Sequence, residues 1–122
     1  MSSEDTIAAP ATAPGDSGVA ILRVSGPRAL EILAAVFRPA GRGDVAALED
    51  RKLVYGTLLD PSDADGVPID LCLAVVMRGP RSFTGEDVAE IHCHGGRAVV
   101  AAALDALLAA GARLAEPGEF SR

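Results

Sequence analysis

The chain has no tryptophan, one tyrosine and three phenylalanines, so aromatic side chains fill little of its interior. Hydrophobic residues nevertheless make up 49% of its 122 residues, and most of them are Ala, Val, Leu and Ile. A chain of this length buries roughly two-thirds of its unfolded surface, which suffices for one domain. We therefore predict a single domain, residues 1–122, with an aliphatic core.

Positive charge is also scarce. Lys and Arg together number 11 against 17 Asp and Glu, and the net charge at pH 7 is −6. A field of this sign repels phosphate backbones, which argues against tight nucleic-acid binding by this chain alone.

Long apolar runs are missing too, because Asp105 interrupts the longest one, AVVAAALDALLAAGA. We therefore expect no contact with a membrane.

Cysteine is limited to Cys72 and Cys93, and the two show no CxxC spacing. Both fall within apolar strand patterns, which favours buried, reduced thiols in a cytoplasmic protein. The start of the sequence, MSSEDTIAAP, is acidic and short of apolar residues, so we expect no signal peptide.

Several sequence motifs of nucleotide and hydrolase chemistry are missing. The sequence contains no GxxxxGK[ST] phosphate-binding loop and no GxGxxG dinucleotide motif. It contains no GxSxG nucleophile elbow either. We therefore expect no GTPase site and no nucleophilic hydrolase site in these 122 residues.

Hydrophobic periodicity and turn residues divide the sequence into strands and helices. The predicted strands are DTIAA, GVAILRVS (18–25), RKLVYGTLLD (51–60), VPIDLCLAVVM (67–77), VAEIHCH (88–94) and ARLAE. The predicted helices run from Pro27 to the stop at Arg38-Pro39, and from about Arg97 to Ala110 with Gly111 as C-cap. This order favours an α+β domain with a mixed β-sheet and helices packed on it.

The stretch GEDVAEIHCHGG places three polar side chains on one face of a predicted strand. Alternation puts Glu90, His92 and His94 on that face and Ile91 and Cys93 on the other. Two imidazoles and a carboxylate are typical ligands of zinc, manganese or iron, which would indicate a small metal-dependent enzyme. The same pattern also fits the exposed polar face of an edge strand, or the wall of a ligand pocket.

Arg23 interrupts an otherwise apolar row in GVAILRVS. A half-buried guanidinium needs a carboxylate or an anionic ligand, because an unpaired buried charge costs several kcal/mol. Arg23 therefore either extends to water or belongs to a site.

Three blocks of the sequence are distinctive: DTIAAPATAPGDSGVAILRVSGP, MRGPRSFTGEDVAEIHCHGG and GARLAEPGEFSR. In this order and at this spacing they resemble the N-terminal domain of the MnmE (TrmE) family of tRNA uridine-modifying GTPases. The resemblance covers nearly all of the chain. It implies a fold akin to the tetrahydrofolate-binding domain of aminomethyltransferases, one that binds 5-formyltetrahydrofolate or a related one-carbon tetrahydrofolate and forms a homodimer.

For the full-length protein the resemblance implies a helical domain and an inserted, potassium-dependent GTPase domain that uses GTP and Mg²⁺. With a flavoprotein partner, MnmG, such a protein attaches an aminomethyl or carboxymethylaminomethyl group to the wobble uridine of certain tRNAs. A folate one-carbon unit is the donor. A ligand-free oligomerisation module is the remaining alternative for this chain.

The resemblance also implies that Arg23 and Glu90 contact the folate, and that a third contact is a lysine beyond Arg122. A pterin presents a ring N–H and an amino group side by side, and one carboxylate accepts both. Glu90 has that chemistry. Arg23 and Glu90 are also able to hold each other in place in the empty pocket. Candidate residues for the pocket wall are His92, His94 and Phe83.

Overall fold

The computed structural model describes residues 5–11, 18–41, 43–62, 66–79 and 86–119. These residues form a mixed β-sheet with helices, so the predicted α+β class is confirmed. The strands are β1 (Ile7–Pro10), β2 (Val19–Ser25), β3 (Phe37–Pro39), β4 (Val54–Asp60), β5 (Val67–Met77), β6 (Val88–His94) and β7 (Arg113–Leu114). The α-helices are α1 (Ala29–Val36) and α2 (Arg97–Ala109), and a 3-10 turn covers Val45–Ala47.

The sheet has the strand order β3-β4-β5-β6-β2-β1-β7. Neighbouring strands are antiparallel, except that β1 and β7 run parallel. Strand β6 lies in the middle, because it pairs with β2 on one side and with β5 on the other. The interpretation of GEDVAEIHCHGG as an edge strand is therefore wrong.

Both helices pack on the same strands and on each other, so one face of the sheet is covered. Alternate strand residues point into this layer, where they meet apolar residues of the helices. The buried strand residues include Ala20, Leu22, Val24, Leu58, Ala74, Val76, Ala89 and Ile91, and the buried helix residues include Ile32, Leu33, Ala103 and Leu107. The core is aliphatic, and Cys72 and Cys93 belong to it as free thiols, as predicted.

The first helix is shorter than the sequence predicts. It begins at Ala29 instead of Pro27, and the backbone N–H of Arg28 donates to Thr6 Oγ1 at 3.0 Å just before it. It ends at Val36, and Phe37 begins β3 as the cross-strand partner of Leu58. Pairing with β4 therefore overrides the helical periodicity of ALEILAAVF.

Strand β3 approaches β4 closely at Gly56. A Cβ atom at this position would lie 2.4 Å from the Arg38 carbonyl oxygen and 2.5 Å from Phe37 Cζ. Glycine is therefore what allows the phenylalanine ring to lie over the strand.

The second helix ends as predicted at Gly111, which has a φ of +120°. The N–H of Gly111 donates to the Leu108 carbonyl at 3.1 Å, and the N–H of Ala112 donates to the Leu107 carbonyl at 3.1 Å. This pair of bonds is a Schellman motif, which satisfies carbonyls left free at the helix end.

Arg113 joins the two ends of the described chain. Arg113 in β7 is the cross-strand partner of Ile7 in β1. Its Nε atom lies 3.2 Å from Asp5 Oδ2. Its Nη1 atom donates to Glu119 Oε1 at 3.2 Å. The parallel pair β1–β7 is thus reinforced by side-chain contacts of Arg113 with Asp5, which precedes β1, and with Glu119, which follows β7.

Candidate functional site

Arg23 and Glu90 are direct cross-strand partners on β2 and β6. Their chain neighbours Leu22, Val24 and Ile91 point into the core, so both charged side chains lie on the face opposite the helices. The next partner in the row is Val75 on β5, which is buried. The register of the central strands therefore brings together the two residues that the sequence singles out.

The two side chains form an ion pair. Arg23 Nε donates to Glu90 Oε2 at 2.7 Å, and Arg23 Nη2 lies 2.6 Å from the same oxygen. The side chains are 26% and 12% exposed, respectively. Hydrogen bonds between charged groups in such shielded positions are stronger than those on the surface. The predicted mutual support of Arg23 and Glu90 is thus seen.

His92 contacts the other oxygen of the same carboxylate. Its Nε2 atom lies 3.2 Å from Glu90 Oε1, and its side chain is 22% exposed. Glu90 and His92 are two positions apart on β6, so their side chains lie on the same face of the sheet. Glu90 is therefore held from two directions, by a guanidinium at Oε2 and by an imidazole at Oε1.

His94 does not join this cluster. Its Nδ1 atom lies 2.8 Å from the Asp70 carboxylate, and its backbone N–H donates to Asp70 Oδ2 at 3.0 Å. Burial of Asp70 disfavours its charged form, but the hydrogen bonds from His94 outweigh that cost and lower the pKa of Asp70 below its ordinary value of 3.8. The His94 side chain remains 71% exposed.

The metal interpretation of Glu90, His92 and His94 loses support from this geometry. The structure brings the first two together and directs the third to Asp70. Within the described ranges, no group of three or more His, Cys, Asp or Glu residues is placed to hold a metal ion. Phe83, the remaining candidate for the pocket wall, lies outside the described residues.

Sequence reasoning did not find Asp70. The residue is 24 positions from His94 and lies within an apolar strand sequence, so no local spacing connects the two. The available signal was the carboxylate itself, because a charged residue inside VPIDLCLAVVM needs a partner.

Exposed apolar side chains lie on the same face of the sheet as the charged cluster. Tyr55 and Leu73 are cross-strand partners, and Leu73 in turn is the partner of His92. Tyr55 is 52% exposed, Leu71 54% and Val19 54%. We call Val19, Tyr55, Leu71 and Leu73 the outer apolar patch.

Two open cavities lie away from this face. One, of about 330 Å³, lies between the end of α1 and Val45, and the other, of about 350 Å³, lies between α2 and the β4–β5 hairpin. Neither is lined by Arg23 or Glu90.

Residues 6–122 match a protein family described as "GTP-binding protein TrmE N-terminus". The chain belongs to this family. It is similar over its whole length to the tRNA modification GTPase MnmE of Nitratidesulfovibrio vulgaris, with 52% identity over 122 residues. The proteins of the same name from Carboxydothermus hydrogenoformans and Heliobacterium modesticaldum are 50% and 55% identical over 98% and 97% of the chain. The chain spans about a quarter of the length of these relatives, 26%, 25% and 25% respectively.

In the part of the chain that the structure describes, no helix is long and apolar enough to cross a membrane. The longer helix, α2, has 13 residues.

Proposed function

We propose that this chain is the folate-binding and dimerising domain of a GTPase that modifies the wobble uridine of tRNA. The observation that carries the proposal is the Arg23–Glu90 pair, a shielded carboxylate held in place on the central strand of the sheet. Membership of the TrmE N-terminal family and the names of the relatives support the larger role.

The ligand contact that we propose for Glu90 is with the pterin ring of a reduced folate. The ring offers an N–H and an amino group as adjacent donors, and a carboxylate has about four lone-pair sites to receive them. One oxygen of Glu90 already accepts from Arg23 and the other faces His92. Oε2 already receives two nitrogens of Arg23, whereas Oε1 still has capacity for one more donor. The pterin would therefore use Oε1 and replace one of the two Arg23 contacts at Oε2.

The remaining activity belongs, in this proposal, to the rest of a longer protein. GTP hydrolysis would use a phosphate-binding loop with Mg²⁺, and in this family also K⁺, and the 122 residues contain no GxxxxGK[ST] sequence. Docking of the tRNA and of the flavoprotein MnmG likewise falls to the full-length protein, since this chain carries a net charge of −6. The chain supplies the binding site for the one-carbon donor.

The outer apolar patch supports homodimerisation. Its residues are 37% to 54% exposed. Tyr55, Leu71 and Leu73 lie beside one another on β4 and β5, and Val19 lies across β6 from them, opposite His94. Clustered apolar exposure of this kind is typical of protein–protein contact surfaces. This observation alone would also fit a ligand-free oligomerisation module, so ligand binding has to be tested separately.

Titration calorimetry with 5-formyltetrahydrofolate tests the proposal. We expect binding to the parent chain, and Glu90→Gln should weaken it by about 1.5 to 3 kcal/mol, roughly tenfold or more in Kd. Glutamine keeps the shape of the side chain but replaces one acceptor oxygen by a donor. Glu31→Gln on α1, where the carboxylate is 69% exposed, is the matched control and should bind like the parent.

Two outcomes would favour the other functions. No thermal shift and no heat of binding with the folate would leave the oligomerisation module as the better hypothesis. A stoichiometric metal in the purified protein would revive the metal-dependent enzyme.

A further inference from the structure

Cys72 and Cys93 lie opposite each other on adjacent strands. The ladder between β5 and β6 ends with Leu73 opposite His92, and one more step along both strands places Cys72 opposite Cys93. Both strands continue beyond this point, since β5 begins at Val67 and β6 ends at His94. The two thiols are 4% and 3% exposed and share the helix-covered face.

The backbone hydrogen bonds show what kind of position this pair occupies. Direct partners in an antiparallel ladder alternate between pairs that exchange backbone hydrogen bonds and pairs that face each other without them. Gly26 donates its N–H to the Asp87 carbonyl across β2 and β6. Three steps of two residues along each strand lead to Ala20 and Cys93, which therefore form a hydrogen-bonded pair. The peptide groups of Cys93 thus point toward β2 and away from Cys72.

The next residue of β6 gives an independent check. The N–H of His94 donates to the side chain of Asp70, which belongs to β5. Successive N–H groups of a strand point to opposite sides, so the N–H of Cys93 points to the other neighbour, β2. Both observations place Cys72 and Cys93 in a non-hydrogen-bonded pair.

Such a pair is close enough for a disulfide. Cα atoms of non-hydrogen-bonded partners lie about 4.5 Å apart, and disulfides join Cα atoms separated by roughly 4.4 to 6.8 Å. The same row contains two small residues, Ala20 beside Cys93 and Gly56 beside Cys72. Cys93 therefore has a small neighbour along the row, whereas the Phe37 ring lies over Gly56 beside Cys72.

We propose that Cys72 and Cys93 are a redox modification site, a cross-strand dithiol that a small peroxide converts to an intramolecular disulfide. In the first step one thiolate attacks hydrogen peroxide, the O–O bond breaks, and a sulfenic acid and hydroxide form. In the second step the other sulfur attacks the sulfenic sulfur, the S–O bond breaks, and the S–S bond forms with loss of water. Two thiols and one peroxide thus give one disulfide and two waters.

The environment of the thiols sets the rate of this reaction. Burial raises the pKa of Cys72 to about 12 and also raises the pKa of Cys93. The thiolate is the reactive form, so oxidation should be slow near neutral pH and should accelerate as the pH rises. The disulfide would sit one residue from His92 and would covalently join β6, which carries Glu90 and His92, to its neighbour β5.

The 122-residue chain, which contains these two cysteines and no others, allows a clean test. The folded chain is treated with hydrogen peroxide at pH 8, the peroxide is removed, and the thiols are alkylated after unfolding. We expect a mass loss of about 2 Da, resistance of both cysteines to alkylation, and a cross-linked peptide containing Cys72 and Cys93. Any methionine oxidation adds oxygen to other peptides and is distinguished by peptide mapping. Dithiothreitol should restore both thiols.

Single replacements and an unfolded sample serve as controls. Cys72→Ala and Cys93→Ala should each abolish the cross-linked product within one chain. Formation of the disulfide in urea but never in the folded chain would overturn the proposal. It would equally be overturned if peroxide left both cysteines open to alkylation, converted them to sulfinic acids, or linked separate chains.

Discussion

A charged side chain inside an apolar row destabilises a sheet unless an opposite charge meets it, and Glu90 meets Arg23. One cross-strand pairing, Arg23 with Glu90 on the neighbouring strands β2 and β6, fixes both positions. The cluster is thus set by the sheet, without help from a loop. Such support favours a site whose geometry is already formed before a ligand arrives.

The strength of the Arg23–Glu90 pair can be measured by a double-mutant cycle. Arg23→Met, Glu90→Gln and the double variant should give a coupling energy of about 1 to 3 kcal/mol in urea unfolding, because both partners are shielded from water. The pair Arg28–Glu31, whose side chains are 46% and 69% exposed, is the control and should couple more weakly. Equal coupling in the two cycles would show that shielding adds nothing to the pair.

Asp70 should contribute to the acid sensitivity of the fold. Its pKa is lowered in the folded state, because hydrogen bonds from His94 outweigh the opposing effect of burial. The stabilisation is therefore present above the ordinary value of 3.8 and is lost as the pH falls through the lower folded-state pKa. The free energy of unfolding decreases as the pH falls into the acid range, which is the acid limb of the stability curve, and Asp70→Asn should make this decrease smaller. Asp105→Asn, on an exposed position of α2, is the control, and an unchanged acid limb in Asp70→Asn would contradict the assignment.

Sequence could identify Arg23 and Glu90 as special residues, since each is a charge in an apolar strand. It could not decide between a metal site and a pocket, because alternation places Glu90, His92 and His94 on one face in either case. The structure separates His94 from the other two residues, because His94 contacts Asp70 on another strand. A contact between residues so far apart in the sequence depends on the register of the two strands, and that register cannot be predicted from the sequence of one strand.

At the scale of elements, β3 shows how pairing overrides local preference. The residues Phe37–Pro39 continue a helical sequence, yet they form an edge strand on β4. The longer strands β2, β5 and β6 and the helix α2 were predictable, because each has a long apolar pattern and glycine at one or both ends. A strand of three residues has no such pattern, so its existence depends on its neighbour.

Gly56 should be essential for the packing of β3. Gly56→Ala places a methyl group 2.5 Å from Phe37 Cζ and still closer to a backbone oxygen, so the strand has to shift. We expect a loss of about 1 to 3 kcal/mol in the free energy of unfolding. Gly18→Ala, where no atom of the described residues lies within 4 Å of the added Cβ, is the control. A Gly56→Ala variant as stable as Gly18→Ala would mean that the β3 edge is not packed as described.

At the scale of the whole molecule, the open face of the sheet is where we expect a second copy to bind. Leu73→Glu places a charge in the outer apolar patch and should convert a dimer to a monomer in light scattering. Leu114→Glu, on β7 and 52% exposed, is the matched control and should remain dimeric. A monomeric parent at high concentration would refute the dimer, and a dimeric Leu73→Glu variant would place its contact elsewhere.

The pairing of β1 with β7 has a consequence for how the protein is made. Asp5 and Arg113, which touch beside this pair, are 108 positions apart in the chain. A ribosome adds roughly 5 to 20 residues per second, so β1 emerges several seconds before the strand that completes its edge. During that interval the nascent sheet has an unpaired border, which is a place for chaperones to bind and for neighbouring chains on a polysome to associate wrongly. Native contacts of such long sequence separation also slow folding in general, so the last step in forming this sheet should be the pairing of β7 with β1.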